Sequence, residues 1–200
     1  MALANSSVGI ADTIVFGVSG TITLASRLPD IDDEVTIDGT GTVVTLSGNQ
    51  RVQLLFVAAG KRARIRSLTL ADGFCASPCS GGAIVNVGCL DVETVTFLGN
   101  SALLGGAIHN FGRLRVSASA FTANSALFGG AIHNFDQLEV VGSSFDSNTA
   151  ANAGGAIHNF DRLTVVGSSF WGNRAANLGD NIHDPDRAAN TVTLDFKPCS

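Results

Sequence analysis

The chain has no tyrosine, one tryptophan, one methionine and four prolines, and only 14% of its 200 residues are charged. No apolar run approaches the ~18 residues of a membrane-spanning helix. A formal charge of −5 leaves no basic footprint for a nucleic-acid partner. No window keeps the 3.6-residue apolar period of an amphipathic helix. Neither G-x-S-x-G nor H-E-x-x-H occurs, so two common hydrolase signatures are missing. The opening MALANSSVGIADTIVF lacks a basic n-region and a sustained apolar core, and so is not a signal peptide. It reads as a fragment given an initiator Met, or as a mature domain whose leader was removed.

Glycine and phenylalanine are plentiful, at 23 and 12, and 45% hydrophobic residues suffice for a core. They are arranged periodically. Asn86, Asn110, Asn134 and Asn159 recur every 24 or 25 residues, with Asp184 next in the series. Leu90, Leu114, Leu138 and Leu163 keep the same rhythm, as do Phe97, Phe121, Phe145 and Phe170, and Asn100, Asn124, Asn148 and Asn173. The unit is G-G-A-I-x-N-x-[GD]-x-L-x-V-x(4)-F-x-x-N-x-A. Within it Leu114 and Val116 alternate with Arg113 and Arg115, which predicts short strands with one face inward.

A unit this short cannot bury its own apolar face, whereas stacked units can. With about three strands per turn, each strand pairs in parallel with its equivalent one turn on, at ~4.8 Å. The expected fold is all-β: a single-stranded right-handed parallel β-helix of seven to eight coils, about 35 Å long. It spans residues 1–200 as one domain. Residues 1–72 form worn N-terminal coils in which Leu70 takes the Phe place. Residues 73–82 are a cysteine-containing loop, 83–184 the regular repeats and 185–200 a terminal coil.

The G-G-A-I and F-x-x-N signatures resemble the right-handed β-helix repeats of secreted bacterial proteins and of chlamydial polymorphic outer-membrane proteins, within the pectate-lyase-like superfamily. The stretch NSSVGIADTIVFGVSGTITLASRLPDIDDEVTIDGTG is similar to the opening turns of surface proteins that carry a CSLREA signature. That signature is absent here and would lie upstream, in keeping with a fragment. The resemblance implies an extracellular or bacterial cell-surface location. It specifies fold well and function poorly, because one solenoid hosts lyases, adhesins and spacers.

Residues one repeat apart stack, so each repeat position is a column. The two Asn columns (Asn86, Asn110, Asn134, Asn159 and Asn100, Asn124, Asn148, Asn173) are expected to form amide ladders along the axis. Gly88, Gly112, Asp136, Asp161 and Asp186 share a column, which suggests a turn with positive φ. Arg64, Asp91, Arg115, Glu139 and Thr164 alternate in sign, and Arg66 stands above Glu93. This order avoids like-charge stacking and fixes register. Paired ranks of T-x-T, which an ice-binding solenoid would show, are not expected: Thr21/Thr23, Thr94/Thr96 and Thr191/Thr193 do not share a column.

His109, His133, His158 and His183 form a further column, with Val85 before them. Strand alternation points them outward, which predicts an exposed row of stacked rings. The alternative is a divalent metal bridged by neighbouring imidazoles. Its best place is the C-terminal end, where His158 and His183 lie close to Asp161, Asp184 and Asp186.

Polysaccharide lyases and hydrolases of this fold set the enzymatic alternative. A hydrolase needs two carboxyl groups facing across ~5–9.5 Å. The acids of PDIDDE (Pro29–Glu34) occupy a single solvated turn, and the repeats lack long insertions to wall a cleft. No catalytic residue and no cofactor is indicated. Cys75, Cys79 and Cys89 cluster around one turn. Cys199 belongs to the last turn, ~24 Å from Cys75 at ~4.8 Å per coil, too far for a bond within the monomer. One disulfide is expected in the cluster, Cys75–Cys79 or Cys79–Cys89, leaving a thiol there and another at Cys199. The function expected is structural, adhesive or filament-forming, through self-association or within a larger parent chain. A carbohydrate-active or carbohydrate-binding solenoid is the alternative.

Overall fold

Short β-branched runs that alternate inward and outward residues can satisfy their backbone only by pairing with another strand. In the computed structural model, which describes residues 11–76 and 78–184, each finds its own equivalent in the next coil. One parallel sheet stacks Asp12–Val15, Val35–Asp38, Arg62–Arg66, Cys89–Glu93, Arg113–Ser117, Gln137–Val141 and Leu163–Val166. A second stacks Gly20–Thr23, Val44–Ser47, Thr69–Ala71, Thr96–Leu98, Ala120–Thr122, Ser144–Asp146 and Ser169–Trp171. A third runs through Leu55–Val57, Ile84–Asn86, Ile108–Asn110, Ile132–Asn134, Ile157–Asn159 and Ile182–His183. The chain is an all-β parallel solenoid of about seven turns, and no helix occurs among the described residues.

The register is the one the repeat predicts. Leu90, Leu114 and Leu138 pair in line, as do Val92, Val116 and Val140, and all six are buried. Phe97, Phe121, Phe145 and Phe170 form a stack with centroids 4.5, 4.7 and 4.8 Å apart and planes within 6°. Leu70 does occupy the Phe place, between Leu46 and Phe97. Burying each ring is worth ~2–3 kcal/mol, so the stack is a main source of cohesion along the axis.

The Gly pair of each repeat has two separate tasks. Gly105 takes φ +60° to turn the chain into the third sheet. At Gly106 any Cβ would strike the carbonyl of Gly130 one coil on. The second glycine is therefore there for close approach between coils.

Three expectations need correction. A fourth sheet, Ser125–Phe128, Thr149–Ala153 and Arg174–Ala175, adds a fourth strand to the last coils. It forms because Ser125, Thr149 and Arg174 each donate their backbone N–H to the ladder Asn carbonyl one coil back, at 2.9 Å. The Ala-rich runs there carry no alternation to announce it. The column of Gly88, Gly112, Asp136 and Asp161 does not take positive φ. Its carbonyls instead cap the ladder: Asn110 Nδ2 donates to Gly112 O and Asn134 Nδ2 to Asp136 O, both at 2.7 Å. Asp186 lies outside the described residues. Finally, Thr21 and Thr96 do share a column, through Thr45 and Thr69. The column two residues on reads Thr23, Ser47, Ala71 and Leu98, so no paired threonine rank results.

Candidate functional site

The third sheet carries the chain's histidines. In each Ile-His-Asn strand, alternation sends Ile and Asn to the core and His to the opposite face. The Asn side is a continuous ladder: Asn86 donates to Asn110 and Asn110 to Asn134 at 2.6 Å, and Asn134 to Asn159 at 2.7 Å. The F-x-x-N column forms a second ladder, from Asn100 through Asn124 and Asn148 to Asn173.

The His side is not the exposed row expected. His109, His133 and His158 are only 2%, 2% and 3% accessible. What covers them is the residue after each ladder Asn. Phe111, Phe135 and Phe160 donate their backbone N–H to the Asn carbonyl of the preceding coil at 2.8–2.9 Å, which fixes the turn. Their rings then fold over the imidazoles, with centroids 4.1 Å from His109, 4.7 Å from His133 and 4.6 Å from His158. Phe128 closes on His158 at 5.1 Å. The three turn phenylalanines stack at 5.4 and 4.9 Å with planes within 4° and stay about half exposed. Their signal was present in the motif, as the F of GGAIHNF, but a column next to a ladder is indistinguishable by sequence from a row of surface rings.

The imidazoles themselves form a file, with centroids 5.0, 4.9 and 4.9 Å apart from His109 to His183. Neither nitrogen of His109 has a hydrogen-bond partner, nor has Nδ1 of His133, His158 or His183. Burial disfavours their charged form and lowers His109 to about 4 and His158 to about 4. His133, between two other imidazoles, is lowered to about 3, by burial first and then by His109 and His158. At neutral pH His109, His133 and His158 form an uncharged, buried seam.

The metal set is not assembled among the described residues. His158 and His183 stack face to face with 3° between their planes, so their nitrogens lie side by side instead of converging. Asp184 takes the Asn place of its coil, and its Oδ2 accepts from Asn159 Nδ2 at 3.3 Å, on the core side of the strand. Asp161 uses its backbone carbonyl to cap Asn159. No group of three or more His, Cys, Asp or Glu is placed to hold a metal ion among the described residues. The fourth acid, Asp186, lies outside them.

The charged columns of the first sheet follow the expected register: Arg64 opposite Asp91, Asp91 opposite Arg115, Arg115 opposite Glu139 and Glu139 opposite Thr164. Arg64–Asp91 approach to 3.8 Å and Arg115–Glu139 to 3.3 Å. A shallow hollow of about 260 Å³ lies over them, lined by Arg64, Asp91, Glu93, Arg115 and Ser117. Arg66, in register with Glu93, turns the other way and donates to Asp38 at 2.7 Å. That pair had no signal in the repeat, because Asp38 belongs to a worn coil.

Cys75 and Cys79 are bonded, with Cα atoms 5.3 Å apart. Cys89 begins the next strand of the first sheet and takes no part in that bond. No free cysteine remains among the described residues, so the spare thiol expected in the cluster is not there. Cys199 lies outside the described residues. Gln53 ties the loop to the coil below, its Nε2 donating to Ser80 O at 2.8 Å and Gly81 O at 2.6 Å.

Two segments, residues 94–110 and 142–159, match the family model described as the Chlamydia polymorphic membrane protein repeat. Each runs from an F-x-x-N column to an Ile-His-Asn strand, and so covers one passage between the two ladders. No curated protein and no solved structure matches the chain. The repeat, together with the parallel solenoid, fits a β-helix of the bacterial outer-membrane-protein type.

Proposed function

We propose that this chain is a non-enzymatic rod of a bacterial surface protein, serving as a structural, adhesive or self-assembling module. The observation that carries this reading is the uninterrupted coil. Ladders of Asn and Phe run from coil to coil, and Gly73–Gly82 is a loop of only ten residues. Surface location is supported by the match to the polymorphic membrane protein repeat and by the Cys75–Cys79 bond, which suits an oxidising compartment.

Three features weigh against carbohydrate chemistry. The alternating charges of the first sheet neutralise one another, which is a poor grip for a polyanionic sugar. The acids beside the shallow hollow are held against arginines. The exposed phenylalanines stack on one another, so they offer edges to solvent where a sugar platform needs faces.

Incubation of the purified chain with uronate polymers, followed by absorbance of unsaturated product, should give no turnover. Negative-stain microscopy and sedimentation should show rods or end-to-end fibres. Product release, or saturable binding to a polysaccharide by rods that do not associate or adhere, would overturn the reading.

A further inference from the structure

We propose that the His–Phe seam of the third sheet is an acid-operated latch: uptake of protons by the imidazole file lifts the Phe111–Phe135–Phe160 roof and opens that wall of the solenoid. This inference concerns the coil itself and holds whether or not the rod is an adhesive module.

The geometry makes the seam bistable. Four imidazoles stand in file 4.9–5.0 Å apart, closer than the Debye length, and three of them, His109, His133 and His158, are shielded from water. A charged imidazole needs both N–H groups bonded. Both nitrogens of His109 and the Nδ1 atoms of the other rings have no acceptor. Neighbouring charges at this spacing in a dry site repel more strongly than one phenyl face attracts. The roof is the side able to yield. Its three rings are about half exposed and belong to turns, while the Ile and Asn side of the same strands is fixed in the core and the ladder.

The charged surroundings do not relieve the file. The Ile-His-Asn strands contribute only the histidines, and the Phe turns and Ser125–Phe128 contribute phenyl rings. The turn charges beyond the roof, Asp136, Asp161, Arg113 and Arg162, act on one another. Asp184 acts on His158 and favours its protonation. His109 and His133 have no such help, and both are pushed well below the ordinary histidine range. The latch therefore stays shut at neutral pH and opens when acid forces charge onto rings that have no counter-charge. Val85 stands in the same column one coil earlier, so valine is a native occupant of this place.

The test follows the ring signals of the histidines by NMR and amide hydrogen exchange, from pH 7 to pH 3.5, in the wild-type chain and in His109→Val/His133→Val. In the wild type the ring signals of His109, His133 and His158 should stay neutral below pH 6. They should then change together with an exchange at least 10-fold faster, after correction for intrinsic rates, at Ile108–Phe111 and Ile132–Phe135. The amides around Phe97, Phe121 and Phe145 should keep their protection. The valine variant should hold the third sheet closed over the same range. Titration of His109, His133 and His158 singly near 6.5 with unchanged protection would overturn the proposal, as would a valine variant that opens at the same pH. Should the variant fail to fold, the wild-type titration decides alone.

Discussion

Asn100 donates both its backbone N–H and its side-chain Nδ2–H to the single Oδ1 of Asn124, at 3.0 and 2.9 Å. The grip repeats from Asn124 to Asn148 and from Asn148 to Asn173. Each of these amides also donates to the carbonyl of a core Leu or Phe one coil back, Asn124 to Phe97 O at 3.1 Å. The ladder thus joins three coils at every rung and satisfies buried backbone groups that no strand reaches.

Asn124→Ala removes the acceptor shared by two donors of Asn100 and the amide that reaches the Phe97 carbonyl, in a site closed to water, while Asn148 Oδ1 keeps the backbone N–H of residue 124. At ~1–3 kcal/mol for each buried group left unsatisfied, and with partial relaxation, the loss should be about 3–5 kcal/mol. Asn86→Val should cost less than half of that, because the preceding coil already carries Val57 in this place and Asn86 Oδ1 has no partner to lose. Urea unfolding of the two variants checks the ratio; equal losses would show that the ladder does not act rung by rung.

Phe121 lies between Phe97 at 4.5 Å and Phe145 at 4.7 Å and is fully buried. Phe121→Ala should destabilise by about 3–5 kcal/mol through the cavity it leaves. Phe121→Leu should cost only about 1–2 kcal/mol, since Leu46 and Leu70 continue the same column. Thermal or urea unfolding decides. A leucine variant as weak as the alanine one would mean that ring stacking, and not filled volume, holds the column.

The repeat makes these columns legible: periods of 24 and 25 specify register, ladders and core, because strand pairing in a solenoid copies the sequence spacing. It did not reveal depth. His109 was placed on the correct side of its strand, yet whether that side is wet depended on Phe111 folding back, which follows from one backbone bond to Asn86. Likewise the second glycine of each pair is demanded by contact with the next coil, and the Gly–Asp column is shaped by an Asn amide. The first two constraints come from residues one coil away and the third from the direction of an amide two positions back, none of which the local sequence announces.

Gly106 and Gly142 separate the two roles of glycine. A Cβ on Gly106 would meet Gly130 O and the Ser125 backbone, none of which can move without parting the coils. Gly142, at φ +54°, has nothing within 4 Å of such an atom. Gly142→Ala should therefore cost about 1 kcal/mol, from backbone conformation alone. Gly106→Ala should cost more than about 3 kcal/mol, in the range of overpacking and local strain. The comparison is read from unfolding midpoints. A Gly106→Ala protein as stable as Gly142→Ala would contradict the close-approach argument.

Asp38 gives the first coils their own pH dependence. Its carboxylate accepts from the Thr40 turn and from Arg66 Nη2 at 2.7 Å, and these bonds hold it at about 2, against an ordinary value of 3.8. A carboxyl group lowered on folding contributes stability that is complete above its unfolded value and is lost as pH falls through its folded one. The window is thus from about pH 4 down to about pH 2. Arg66 is largely solvent-accessible, so screening leaves the pair only a small contribution. Asp38→Asn should be slightly less stable than wild type at pH 7, by well under the losses of the ladder and core variants. The gap should close steadily between pH 4 and pH 2, while the histidine seam, common to both proteins, cancels in the difference. Paired urea titrations at pH 7, 4, 3 and 2 measure it. A gap that persists unchanged at pH 2 would show that Asp38 acts through the Thr40 turn's shape and not through its charge.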